Sequence, residues 1–228
     1  MRTAFRRIGF GHVLGTLLIA LAGFGIWITA RATWVVAHGG DTSFEGAFHY
    51  PEWATVHFVP ALVFALVLPF QLWSGSRRRY PRWHRLSGRV AAIAATLFSV
   101  TGLLLPFVMP TRPFGERAFM TVVSWLFLVF LSLGVRAARR RDVVSHRRWM
   151  LRVTAVAMGP LTQRVLFPFF AAAGIDSLPR FWDLFMTAAW FSAALTIVTA
   201  EWWIRRTAAE PKARALYVRG IAVAVPTP

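Results

Sequence analysis

The basic residues of this chain fall into four short clusters separated by long apolar stretches, and that alternation restricts it to threading a membrane. Twenty-one of its 26 Lys and Arg residues lie in the clusters. They are Arg2, Arg6 and Arg7; then Arg77, Arg78, Arg79, Arg82, Arg85 and Arg89; then Arg136, Arg139, Arg140, Arg141, Arg147, Arg148 and Arg152; then Arg205, Arg206, Lys212, Arg214 and Arg219. The connectors between them hold Arg31, Arg112, Arg117 and Arg180 beside Asp41, Glu45, Glu52, Glu116 and Asp176. Short loops rich in Lys and Arg stay on the cytoplasmic side, so the clusters are expected inside and the weakly acidic connectors outside. A chain that is 57% hydrophobic and 15% charged over 228 residues is too apolar for a soluble domain. Its net charge of +17 flanks apolar spans instead of lining a soluble face. The partners expected are therefore the lipid bilayer and its anionic headgroups, and no nucleic acid. With no Cys, disulfides, thiolate metal sites and iron–sulfur clusters are excluded, which leaves histidine as the redox ligand.

The hydropathy pattern predicts an all-α integral membrane bundle of six transmembrane helices: about 8–30, 53–73, 90–109, 118–135, 151–172 and 181–204. Each covers a hydrocarbon core of roughly 30 Å. An even count places both termini in the cytoplasm, and the setting expected is a bacterial cytoplasmic (inner) membrane. Residues 1–207 form one domain and 208–228 a basic cytoplasmic tail lying disordered on the membrane surface. The first span has a basic start and the small-residue run Thr29-Ala30-Arg31-Ala32, but its apolar run exceeds the roughly 7 to 15 residues of a signal sequence, so an uncleaved anchor is expected. Trp27, Trp34, Trp53 and Trp182 near one boundary, and Trp73, Trp83, Trp149, Trp202 and Trp203 near the other, read as two aromatic belts. The segment Arg31–Glu52, with His38 and His49, reads as an irregular outer cap.

Two inner loops repeat at an offset of 62 residues. Arg77-Arg78-Arg79, four residues, His84-Arg85 returns as Arg139-Arg140-Arg141, four residues, His146-Arg147. Arg-Val then opens each outward span, at Arg89-Val90 and at Arg152-Val153, with one residue inserted in the second copy. Spans two and three therefore read as a duplicate of spans four and five. Both loops serve as positive-inside anchors in the plainest reading. Yet cations at the start of a helix oppose its dipole at a cost of about 0.3–1 kcal/mol, so an anion is expected among Arg85, Arg89, Arg147 and Arg152: a lipid phosphate, or the propionates of a haem. A neutral imidazole at His84 or His146 could coordinate the haem iron.

Ionisable groups within spans are costly and normally face the bundle interior. His57, Gln163, Arg164 and Asp183 are predicted to form an outer polar site, with a structural Arg164–Asp183 pair as the simpler possibility. His12 and Gln71 lie near the inner face. Pro60, Pro69, Pro160 and Pro168 fall inside helical spans, where each frees a carbonyl.

His57, Pro69-Phe70-Gln71, His84-Arg85-Leu86-Ser87-Gly88-Arg89, His146-Arg147-Arg148-Trp149-Met150-Leu151-Arg152 and Gln163-Arg164 together resemble the pattern of the bacterial multi-pass membrane proteins catalogued as domain of unknown function 2306. The resemblance covers roughly Trp53 to Phe170. Gln71 is followed here by Leu72 where that family has Phe. It implies a multi-helix membrane fold and carries no activity with it. A weaker similarity is to the transmembrane haem b cytochromes, whose bundles place His ligands in layers near the two faces. It implies His84 and His146 as an inner pair of axial ligands, while His57 would need His49 or His38 from a loop to complete an outer one.

Three functions fit these residues. One is a non-catalytic accessory or lipid-interacting bundle. A second is a haem b electron-transfer protein, possible oxidoreductase chemistry included, working with a quinone or another redox partner. A third is a small-solute or proton transporter using His57, Arg164 and Asp183. No metalloprotease HExxH or phosphate loop is present. The charge asymmetry predicts that reporters fused near Ser76, Asp142 and Pro211 read cytoplasmic and those near Gly40, Pro113 and Ile175 read external; two or more reversed signals would mean that a span is miscounted.

Overall fold

The computed structural model describes residues 51–108, 113–172 and 174–218 and, before them, Trp27, Ala30, Arg31, Trp34 and His38. The first expected span, most of the Arg31–Glu52 segment, His12, His49 and the end of the tail lie outside these residues. The described chain is all helical: α1 Pro51–Leu72, α2 Ser74–Arg79, α3 Pro81–Val108, α4 Phe114–Arg139, α5 Val143–Ala171 and α6 Leu178–Val218. Proline at the first position of α1 and α3 starts a helix at no hydrogen-bond cost, because that N–H has no intrahelical partner.

The α4–α5 turn closes in three residues. Asp142 N–H reaches back to Ala137 O (3.0 Å) and Arg141 N–H to Ala138 O (3.0 Å), with Arg141 left-handed at φ 61°. This is the crossed pair of bonds that commonly ends a helix, here with Arg where Gly is usual. Asp142 then caps α5 by accepting from Ser145 N–H at 3.0 Å. Hydrogen bonds from Ser145 hold its carboxyl below the usual carboxylate value.

Consecutive long helices pack side by side in chain order, α1 on α3, α3 on α4, α4 on α5 and α5 on α6, with α2 tucked against α3. The main core draws on four of them: Phe64 and Leu68 of α1, Ala91, Ala94 and Ala95 of α3, Phe127 and Leu131 of α4, and Val153, Val156 and Met158 of α5. A smaller cluster joins Phe119 of α4 to Ala189 and Ala193 of α6, and Gly159 lets α5 approach the Ala193 backbone.

Three segments among the described residues are long and apolar enough to cross a membrane by themselves: Pro81–Val108, Phe114–Arg139 and Pro179–Thr207. The apolar part of α1, Val56–Leu72, is shorter, and α5 carries Arg147, Arg148, Arg152 and Arg164 along its length. The helices outrun the hydropathy spans: α3 begins nine residues before Val90, and α6 continues to Val218, through half of the expected tail. Pro60, Pro69, Pro160 and Pro168 lie within α1 and α5 as expected, and Pro106 lies within α3.

Candidate functional site: a histidine pair at the basic end of the bundle

α2, the start of α3, the end of α4, the α4–α5 turn and the start of α5 gather most of the Arg residues, and the repeated histidines sit there. Pro81 and Val143 open their helices at the same 62-residue offset that relates His84 to His146, so each histidine is the fourth residue of its helix. The first turns match as well: His84 N–H bonds Tyr80 O (2.9 Å) and His146 N–H bonds Asp142 O (3.0 Å).

Both imidazoles are half-buried and held through Nδ1. His84 Nδ1 lies 3.2 Å from the hydroxyl of Ser76, a fully buried residue of α2. That hydroxyl donates its single proton to Trp73 O at 2.7 Å, so toward His84 it can only accept, which puts the imidazole hydrogen on Nδ1. His146 Nδ1 lies 2.9 Å from Gly134 O, which also can only accept. In both rings Nε2 is left with a lone pair and, among the described residues, no hydrogen-bond partner. α3 and α5 do not pack backbone against backbone, because α4 lies between them.

Gln71 joins this layer, where a Gln beside an interface would more often be simply solvated. Its amide donates to His84 O (3.1 Å) and to Ser87 Oγ (2.7 Å), tying the end of α1 to the first turn of α3. Gly88 admits it: a Cβ there would meet Gln71 Oε1 at 3.3 Å. In the second hairpin Gly134 is the small residue, and a side chain on it would overlap Met150, the residue equivalent to Gly88.

The four arginines of the expected anion collar separate. Arg85, Arg89 and Arg147 are exposed. Arg152 instead forms a two-pronged pair with Glu201 of α6, Nε to Oε1 and Nη2 to Oε2 (3.0 Å), and lies 4.5 Å from the centre of the Trp149 ring. The one-residue insertion explains the split, since each added residue turns a helix by about 100° and carries Arg152 onto a different face from Arg89. Sequence reasoning missed Glu201. Its signal was a second carboxylate, besides Asp183, inside the apolar run 181–204, a position tolerated when a cation answers it.

The outer polar residues do not assemble into one site. His57 Nδ1 lies 2.9 Å from Thr101 Oγ1, and its ring packs on Phe98. Ser124 lies over Gly102 beside that ring, where an added Cβ would be 2.7 Å from Ser124 Oγ and 3.4 Å from His57 Cε1. Gln163 is buried, its Nε2 without a partner among the described residues. Arg164 donates to Pro160 O (3.2 Å) and Gln163 Oε1 (3.5 Å), while Asp183 is exposed, so the expected Arg164–Asp183 pair is not formed. His38 bonds Trp34 O (2.8 Å) and stacks on that indole. No group of three or more His, Asp or Glu able to hold a metal occurs among the described residues, so any metal held by His84 and His146 must bring other ligands, as a porphyrin does.

The model of the family described as predicted membrane protein (DUF2306) matches residues 54–204, and the chain belongs to that family. No curated protein and no solved structure gives a match.

The Arg152–Glu201 pair is an ionic cross-link between α5 and α6, and hydrogen bonds to charged groups contribute about 1.5–3 kcal/mol. Glu201→Gln and Arg152→Met are each expected to lower the melting temperature in detergent, and the double variant to lower it by less than the sum. Additive losses would show that the two groups are not coupled.

Proposed function

We propose that this membrane protein crosses a bacterial cytoplasmic membrane six times, with both termini inside, and holds a haem b between His84 and His146 to pass electrons to or from a quinone or another redox partner. The observation that carries this reading is the matched state of the two imidazoles. Each is fixed through Nδ1 by a group that can only accept, so each offers a bare Nε2. Metal-bound histidines ordinarily donate their second ring N–H to a carbonyl or similar acceptor, which sets the tautomer and the ring plane.

His84 and His146 would hold the group through their Nε2 atoms. The wedge of α4 between α3 and α5 keeps the two ring-bearing helices apart. Exposed Arg85, Arg89 and Arg147 can answer propionates, whereas Arg152, engaged by Glu201, braces α5. Haem bound there would supply reversible one-electron chemistry. Ser76 and the Gly134 carbonyl would orient the ligands, and Gln71 would hold the turn that carries His84.

A non-catalytic accessory or lipid-interacting bundle is the second reading, favoured by the exposure of Arg85, Arg89 and Arg147. The transporter reading has less support, because no hydrogen bond or ion pair joins His57, Arg164 and Asp183 to one another. Expression with a haem precursor is expected to give a Soret band that His84→Ala and His146→Ala each abolish and His38→Ala leaves intact. A folded, colourless protein would overturn the haem reading and leave the non-catalytic one.

A further inference from the structure

We propose that α2 is a reader of anionic phospholipid, and that a headgroup bound by Arg77, Arg78 and Arg79 tightens the Ser76 clamp on His84. This goes beyond haem binding and does not require it. α2 is the only described helix too short to span anything, and its composition, Ser-Gly-Ser-Arg-Arg-Arg, has no apolar face to bury. Exposed aromatics bracket it: Trp73 before it, Tyr80 after it at 6.5 Å from the Trp73 ring, and Trp83 one turn on. Such rings settle at headgroup depth. Arg77, Arg78 and Arg79 are all exposed, and none has a carboxylate partner among the described residues. Three adjacent cations at that depth match an anionic headgroup such as phosphatidylglycerol. Phosphatidylcholine brings its own cation and fits them less well.

The mechanical link runs through Ser76. It is the residue before Arg77 and is fully buried, although both of its aromatic flanks are exposed. Its N–H bonds Trp73 O (3.1 Å), its carbonyl accepts from Tyr80 N–H (3.0 Å), and its hydroxyl bridges Trp73 O and His84 Nδ1. Fixing the three arginines on a headgroup therefore fixes the one side chain that holds the His84 ring. The duplicated hairpin provides an internal control. Ala138 stands where Ser76 would be, so Arg139, Arg140 and Arg141 have no hydroxyl linking them to His146, which leans on the Gly134 carbonyl instead.

The test uses the full chain in neutral detergent, titrated with phosphatidylglycerol or phosphatidylcholine. Bound lipid is followed by native mass spectrometry and backbone protection by hydrogen–deuterium exchange. The parent should prefer phosphatidylglycerol and show slowed exchange over residues 73–84. Replacing Arg77, Arg78 and Arg79 together by Gln should weaken that binding roughly tenfold or more and remove the lipid-dependent protection over residues 73–84, while the same change at Arg139, Arg140 and Arg141, which have no hydroxyl link to a histidine, should leave that protection in place. Ser76→Ala should retain phosphatidylglycerol yet lose its effect on exchange at His84. Undiminished binding in the Arg77–Arg79 variant, or no preference between the lipids, would overturn the reader. Unchanged lipid-dependent protection in Ser76→Ala would overturn the clamp.

Discussion

One hydrogen bond to each imidazole decides what the basic end of this bundle can do. A histidine offers a single proton to share between two nitrogens, and fixing it on Nδ1 leaves Nε2 as a lone-pair donor facing away from the protein's own acceptors. Ser76 imposes this on His84 because its hydroxyl is already committed to Trp73 O, and the Gly134 carbonyl imposes it on His146 because it has no proton to give. In a half-buried setting these bonds are costly to lose, since a polar group stripped of its partner is poorly compensated by solvent.

The rest of the fold keeps those two acceptors in place. Gln71 ties the end of α1 to the first turn of α3, where a Cβ at position 88 would press on its amide oxygen at 3.3 Å. The crossed bonds of the α4–α5 turn and the Asp142 cap set the start of α5, and with it the height of His146. Arg152 and Glu201 fasten that helix to α6 six residues, about 1.7 turns, further on. α4 fills the space between α3 and α5 with Phe127 and Leu131, so the two histidine-bearing helices are neighbours of a shared wedge and not of one another.

Much of this was legible in the sequence because it is local or periodic. The Arg clusters marked the hairpin ends, and the 62-residue offset located two histidines that the structure finds at equivalent positions of equivalent helices. Helix ends were less legible, because hydropathy reports where apolar residues stop while hydrogen bonding continues into the basic turns, as in α3 from Pro81 and α6 to Val218. The partnership of Arg152 with Glu201 was hidden for a different reason. It joins residues 49 apart through the packing of α5 on α6, which no spacing rule encodes. Ser76 was passed over because its importance lies in a buried hydroxyl inside a loop that otherwise reads as an anchor. Of the outer group, only Gln163 and Arg164 are joined by a hydrogen bond, because similar position along the spans does not by itself bring side chains of different helices into contact.

Nitrogen-15 solid-state NMR of imidazole-labelled protein in lipid bilayers tests the central claim most directly, because the chemical shifts of the two ring nitrogens reveal which one carries the proton whether or not haem is bound. At neutral pH the account predicts the Nδ1–H tautomer at both His84 and His146, with Ser76→Ala shifting His84 alone toward the Nε2–H form that free imidazole side chains prefer. Nε2–H at either residue in the parent protein would contradict it.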